Sequence, residues 1–481
     1  MHDFVHLHVH SQYSILDGQA AIPKLVDKAI ADGMKGIAIT DHGNMMGIKE
    51  FYNYVNKKNK GKSPEEKFKP IIGCEVYIAE RRLFNKETKD DRGYHLLLLA
   101  KNKQGYHNLV KIVSKAWSEG YYYNPRTDKV ELEKYHEGII CCSACLGGEV
   151  PQLIRHGNLE KAEEVVNWYK NLFGDDYYLE LQLHKATVER ANHEVYPLQV
   201  DVNNHIIELS KKCGVKLICS NDVHFVDEEN AEAHDRLICL STGRDLDDPT
   251  RMLYSKQEWM KTKAEMAEMF GDIPEAMTNT VEICDKVEFY SIDNAPIMPN
   301  FAIPEEFGTE ESYREKFTHE DLFNEFTRDE KGNVVLSQEE AESKIKKLGG
   351  YDKLYRIKLE GDYLRKITYD GAKKCYEEPF SQEVIDRIDF ELHIMKTMGF
   401  PGYFLIVQDF IRAAREELGV SVGPGRGSAA GSVVAYALGI TRVDPSSTTF
   451  CSSVSLTPTV SHCPISTSTS MMTDAVECST G

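Results

Sequence analysis

The chain of 481 residues is predicted to be α/β: a parallel β/α barrel of about seven strands, then a charged, mostly helical segment ending on a glycine-rich turn, then a disordered tail. Three observations predict this. Short apolar runs alternate with amphipathic stretches about seven times before residue 288, as strands joined by crossover helices do. After a proline-rich join, the pattern turns charged and helical and ends on a glycine-rich turn between two helices. The final 36 residues show no period at all.

The apolar runs are 4–10, 36–40, 70–78, 95–100, 138–142, 177–183 and 216–219, with amphipathic segments such as 22–32, 109–118, 159–172 and 202–213 between them. In barrels of this kind, chemistry sits at the C-terminal ends of the strands. Residues 288–304 (EFYSIDNAPIMPNFAIP) hold three prolines and read as a linker. Residues 305–395 are charged and mostly helical, with a turn at 329–333 (DEKGN). Residues 398–440 read as helix, short extended stretch, glycine-rich turn and helix. From 446 to 481, 18 residues are Ser or Thr and none is Lys or Arg, the composition of a disordered tail. The expected domains are therefore 1–287, a linker 288–304, 305–445, and the tail 446–481.

Composition narrows the function. Apolar residues are 41% and charged residues 28%, as in an ordinary soluble protein. No apolar run reaches the roughly 20 residues of a membrane helix, and the start, MHDFVHLHVHS, has neither the basic nor the apolar region of a signal peptide. A cytoplasmic location and no membrane partner are expected. A net charge of −19 excludes a simple basic DNA-coating protein, so any nucleic-acid contact must use local basic clusters or metal ions. The 12 cysteines have no structural-zinc spacing and are expected as free thiols, one of them a candidate ligand.

Ligand-type residues recur at the strand ends. The first strand carries His6, His8 and His10, which alternation places on one face. Asp17, Asp41, His42, Glu75, His95, Cys145, Asp222 and His224 each fall at or just beyond a run. A lone histidine in a strand is more often a core or surface residue, but six strand ends each supplying such a residue is hard to reach by chance. Mixed imidazole, carboxylate and thiol donors suit Zn, Mn or Fe. They are too many for one tetrahedral ion, so two or three divalent metals are expected. Clustered metals clamp phosphate esters and supply hydroxide at neutral pH, which makes phosphoester hydrolysis the expected reaction.

The segments HLHVHS, TDHGNM, GCE, YHLLLLA, SACLGG and NDVHF resemble the successive motifs of the PHP (polymerase and histidinol phosphatase) family. Over residues 1–285 the resemblance implies a distorted seven-stranded barrel with a trinuclear site. Its ligands would be His8, His10, Asp17, His42, Glu75, His95, Cys145, Asp222 and His224. His6 and Asp41 would orient them from behind.

Residues 423–431 read GPGRGSAAG. Such a turn lets the backbone approach an anion, a helix starting near Ser428 would aim amides at it, and Arg426 could add a bidentate phosphate contact. The stretch MGFPGYFLIVQDFI…VGPGRGSAAGSVVAYALGIT resembles the first palm segment of the alpha subunits of bacterial replicative (C-family) DNA polymerase III, which also begin with a PHP domain. The resemblance implies that Gly425, Arg426, Gly427 and Ser428 hold the triphosphate of an incoming nucleotide. Gly402, Tyr403 and Asp409 would shape the palm. It also implies template-directed DNA synthesis with Mg, a DNA primer-template and dNTPs as substrates, and replisome partners. The PHP domain would be a metal-dependent 3′–5′ exonuclease or phosphoesterase. A free-standing phosphatase of the histidinol-phosphatase type explains 1–285 but not 398–442; a non-catalytic PHP platform is the third reading.

The family's carboxylate motif, Pro-Asp-Ile-Asp-Ile-Asp-Phe, is absent from the sequence. The tail peptide PISTSTSMMTD can be encoded by bases that, shifted by one with a C from the Cys463 codon, read Pro-Asp-Ile-Asp-Ile-Asp-Phe-Asp-Asp-Asp. An out-of-frame reading from near Ser446 is therefore expected, with polymerase chemistry missing as written. Apolar surface is then expected to be exposed at 404–410 and 433–438.

Overall fold

The computed structural model describes residues 3–87, 93–294, 299–425 and 427–445. The chain divides into two compact units, Met1–Asn294 and Ala295–Gly481.

The first unit is built on a curled, mixed sheet: β1 (Gly36–Ile39), β2 (Lys69–Ile78), β3 (Tyr94–Ala100), β4 (Tyr121–Tyr122), β5 (Asn124–Thr127), β6 (Ile139–Cys142), β7 (Tyr177–Leu181) and β8 (Lys216–Cys219). Its order is β4-β5-β2-β3-β6-β7-β8, with β1 also on β2. The sheet is not wholly parallel, as the strand–helix alternation suggested. β3 runs antiparallel to both β2 and β6; among the described residues no crossover helix, which a parallel pairing would need, lies between β2 and β3. The β1–β2 register continues past the end of β1, so His42 pairs beside Glu75.

The extended segment 4–10 links the two edges. Ala38 and Thr40 donate to its carbonyls on one side, and on the other Val223 donates to His8 O and His10 to Val223 O. The segment carries a bulge. Ala38 N bonds His6 O, but Thr40 N bonds Val9 O, so three residues on one side answer two on the other. Side chains change face at that point. Val5 and Leu7 join Ala38, Ile71, Leu97 and Ile218 in an inner core, and His8 and His10 sit above them on that same inner face, while Phe4 and Val9 pack in the outer core. The helix Pro274–Lys286 adds Ile283 and Cys284 to the inner core.

Outer helices form where apolar residues repeat at helical spacing. In Ile22–Ala31, with a proline in the first turn, Ile22, Leu25, Val26 and Ala29 are all buried. Among the described residues no helix is long and apolar enough to cross a membrane, and all nine cysteines there are free.

Among its described residues the second unit is helical, without a strand. Its long elements are Tyr351–Cys375, Gln382–Thr397 and Pro401–Glu416. The expected apolar exposure is not found: Phe404, Leu405, Val407, Val433 and Val434 are all buried in a common core. They pack on Leu364, Ile388 and Leu392, so these helices bury one another's apolar faces. Glu391, fully buried, accepts from Val433 N, Val434 N and Ser432 Oγ and pairs with Arg387. This carboxylate fixes the start of the helix Val433–Ala437. The tail at 446–481 lies outside the described residues.

Candidate metal centre and glycine-rich turn

Eight of the nine residues aligned with the PHP motifs meet through direct polar contacts at the upper end of the sheet, and Cys145 adjoins them. Glu75 is at the hub. Its Oε1 lies 3.2 Å from His8 Nε2 and 3.0 Å from His95 Nδ1; its Oε2 lies 3.4 Å from His10 Nε2 and 2.8 Å from His42 Nδ1. Asp222 Oδ1 is 3.2 Å from both His8 Nε2 and His10 Nε2. Asp17 Oδ2 faces His42 Nε2 at 2.9 Å and His224 Nε2 at 3.3 Å. Cys145 Sγ is 3.5 Å from His95 Nδ1 and 3.8 Å from Glu75.

Backbone geometry holds these groups. Leu16, Ala144 and Asp222 all have positive φ, +63°, +63° and +44°. Each is at, or next to, a residue of the cluster, where stored strain commonly marks a functional site. Gly147 presses on the His95 ring: a Cβ there would stand 3.1 Å from its Cγ.

Buried partners fix the imidazoles from behind. A carboxylate can only accept, so His8 Nδ1–H donates to Glu180 Oε1 at 2.7 Å, which turns Nε2 toward the cluster. Ser14 Oγ donates to Asp41 Oδ1, so it accepts from His10 Nδ1–H at 2.9 Å. Asp41 therefore reaches His10 through Ser14. His224 Nδ1–H donates to Asp222 O. Tyr254 O–H donates to Asp17 Oδ1 at 2.9 Å.

His6 does not join the cluster, because the bulge turns it to the opposite face. Its ring meets Phe4 edge-on and its Nε2–H donates to Lys261 O. Glu180, Ser14 and Tyr254 were missed by the sequence reading. Only Glu180 left a signal: it is the lone charge in the buried strand β7, on the face that strand shares with Tyr178.

The electrostatics are those of a pocket built for cations. Burial alone would pull the His8 imidazole down, but Asp222, Glu180 and Glu75 outweigh it and hold it well above its usual range. Burial likewise opposes, and carboxylates overcome, in His42, which is raised, and in His224, raised to about 9. Burial pushes Glu75 and Asp17 up, yet their histidine neighbours hold both carboxyls well below the ordinary carboxylate range. Burial, with Glu75 and Asp222, pushes the Cys145 thiol up, so a nearby cation is needed for it to ligate as thiolate. Five buried polar atoms here, His8 Nε2, His10 Nε2, His42 Nδ1, Glu75 Oε2 and Asp222 Oδ1, meet only at ion-pair distance within the cluster, without hydrogen-bond geometry. Three overlapping triads, His10–His42–His224, His8–His10–Glu75 and His42–Glu75–His95, have donor atoms within 4.8 Å of one another. Imidazole and carboxylate donors gathered toward one space in this way fit divalent metals. A cavity of about 210 Å³ opens beside them, lined by His42, His95, Asp222 and His224 and, beyond, by Gln199 and Met252.

In the glycine-rich turn, Gly425 has φ +100°, and Arg442 N donates to Pro424 O at 2.9 Å. Gly427 and Ser428 begin a 3₁₀ turn, Gly427–Gly431. The α-helix starts later than expected, at Val433, because the Ser432 side chain caps it by accepting from Ala435 N. Arg426 lies outside the described residues.

Residues 6–184 match the PHP domain family, and residues 362–464 match the family described as bacterial DNA polymerase III alpha NTPase domain. The DNA polymerase III subunit alpha of Borreliella burgdorferi is 40% identical over 92% of this chain and 33% of its own length. That of Treponema pallidum is 37% identical over 92% of this chain and 32% of its own length. Among solved structures, a histidinol phosphate phosphatase from Lactococcus lactis, complexed with Zn, L-histidinol and phosphate, is 13% identical and covers 54% of this chain and 99% of that one, with TM-score 0.24. Over 92% of its length the chain is similar to bacterial DNA polymerase III alpha subunits, and it spans about a third of the length of the curated relatives it matches.

Proposed function

We propose that the first unit is a metal-dependent phosphoesterase acting on the 3′ end of a DNA strand. We place it within a protein whose larger task is template-directed DNA synthesis from dNTPs. The observation that supports the reading is the convergence at Glu75 of five buried polar atoms that lack hydrogen-bond geometry. His8, His10, Asp17, His42, Glu75, His95, Cys145, Asp222 and His224 would hold two or three ions of Zn, Mn or Fe. Such ions supply charge for a phosphodiester's oxygens and a hydroxide at neutral pH. Glu180 and the Ser14–Asp41 pair keep His8 and His10 in the tautomer that offers Nε2 to a cation. Glu75, which faces four imidazoles, would be the central carboxylate among the residues that hold the ions. The cavity beside the cluster takes the uncharged part of the ester, since it is lined by Gln199, Met252 and Tyr254 and by no lysine or arginine.

Gly425, Arg426, Gly427 and Ser428 are proposed to cradle the triphosphate in the complete polymerase, with Mg held by carboxylates that this sequence does not contain. We read 446–481 as out-of-frame palm; resequencing codons 440–450 tests that reading. The domain limits proposed are 1–287 and 305–445. The purified chain, loaded with Mn or Zn, should shorten a 3′-recessed DNA. Turnover of histidinol phosphate alone would reject the exonuclease reading in favour of a small-molecule phosphatase.

A further inference from the structure

The chain is acidic overall, yet residues 57–69 (KKNKGKSPEEKFK) hold six lysines against two glutamates. This stretch runs from the last turn of the helix Ile48–Asn59 through a loop into the start of β2. The loop is pinned: Asn59 Nδ2 donates to Phe68 O and Asn59 Oδ1 accepts from Phe68 N. It forms one wall of an open cleft of about 670 Å³. Lys60, Lys62 and Lys67 line that wall, and Tyr52, Phe289 and Tyr290 line the other side, with no Asp or Glu in the lining. Glu66, on the same loop, is occupied in accepting from Ser63 N.

Two features set this cleft apart from an ordinary solvated face. Many lysines of the first unit are paired, among them Lys28, Lys58, Lys101, Lys129, Lys216 and Lys286. Among the described residues, Lys60, Lys62 and Lys67 have no acidic partner within 4.0 Å. Phe289 is 53% exposed, a large aromatic held at a cationic surface with Lys69 Nζ 5.3 Å from its ring centre.

Unpaired ammonium groups select an anion, and exposed aromatic faces select a planar, stackable group. A ligand bearing both, with successive phosphates at a spacing that several lysines can follow, is a single-stranded nucleic acid. A duplex would hide its bases from Phe289. We propose that this cleft binds a single strand of nucleic acid, phosphates on Lys60, Lys62 and Lys67 and a base on Phe289. The cleft adjoins the start of β2, whereas Glu75 lies six residues further on, roughly 20 Å along the strand. The binding is therefore separate from the proposed hydrolysis and independent of metal.

The test is fluorescence anisotropy of a labelled oligo-dT with the full chain in EDTA. Wild type should bind with a log–log salt slope near −2, the value for about three phosphate contacts on a single strand. Replacing Lys60, Lys62 and Lys67 together by Gln should weaken binding at least tenfold at low salt. Phe289→Ala should weaken oligo-dT about tenfold but leave an abasic oligomer unchanged, and Phe289→Tyr should restore affinity. Matched thermal unfolding excludes a folding defect. Asp222→Asn, in the metal cluster, should bind oligo-dT as wild type does, so a failure of the hydrolase reading leaves this result intact. No binding by wild type, no loss in the triple variant, or equal affinity for dT and abasic oligomers would each overturn the proposal.

Discussion

Glu180→Gln is the sharpest local perturbation of the cluster. Glu180 is buried and accepts from His8 Nδ1 at 2.7 Å, from Ser220 Oγ at 2.5 Å and from Gln182 Nε2 at 3.1 Å. Glutamine keeps an acceptor of nearly the same shape, so the packing survives. It removes the negative charge that makes His8 Nε2 a stronger donor toward a cation. Groups in this position typically change metal affinity by about 10–100-fold, which is about 1.4–2.7 kcal/mol. Glu180→Leu goes further, because it leaves His8 Nδ1–H and the Ser220 hydroxyl buried without an acceptor, while Gln182 keeps its bond to Ser220 Oγ, at about 1–3 kcal/mol for each donor left unsatisfied. Competition with a chromophoric chelator measures the affinity, and denaturant unfolding in EDTA measures the fold. The expected pattern is a 10–100-fold affinity loss in Glu180→Gln with unfolding stability within about 1 kcal/mol of wild type. Leucine at this position should lose both. Unchanged affinity in both variants would refute the reasoning that Glu180 tunes His8.

His6 supplies a pH test. Burial lowers its imidazole to about 4, only partly offset by its bond to Lys261 O. Its folded value therefore lies below the unfolded value of 6.5, and the unfolded chain takes up the proton first. Stability from this residue is intact above pH 6.5 and falls toward pH 4, by up to about 3 kcal/mol. His6→Gln, which keeps an N–H for Lys261 O, should flatten that part of the stability–pH profile relative to wild type; an identical slope would count against it. Gly147→Ala should push the His95 ring by a few tenths of an ångström. It should lower phosphoesterase turnover about tenfold with little change in unfolding midpoint; full activity would show that His95 is not needed where it stands. Glu391→Ala should destabilise the second unit by about 3 kcal/mol, because two amides and Arg387 lose a buried acceptor, while Glu391→Gln costs less. Equal midpoints for the two variants would contradict that role.

The sequence reading reached the barrel because its strands are short apolar runs, each followed by a chemically distinctive residue. Asp17, His42, Glu75, His95, Asp222 and His224 could be picked out for that reason, and the structure brings them into one cluster. What failed was anything set by a single backbone irregularity. Strict alternation puts His6 with His8 and His10, but the bulge after Leu7 reverses the faces, and no residue type in HLHVHS announces it. The antiparallel β3 was equally hidden, since the run 95–100 reads the same in either direction. Glu180 was visible as a charge within YYLEL, but its partner His8 is 172 positions away. Ser14 and Tyr254 are residue types too common to single out. In the second unit, the apolar faces at 404–410 and 433–438 implied exposure only if no neighbour covered them. Tyr351–Cys375 and Gln382–Thr397 do so, a pairing that depends on tertiary packing.

Metal content measures the central claim most directly. The chain purified without chelator and assayed by elemental mass spectrometry should carry two or three transition-metal ions per molecule. It should lose them, and several degrees of thermal midpoint, on EDTA treatment. A protein free of transition metal whose unfolding ignores both EDTA and added Mn or Zn would contradict the account.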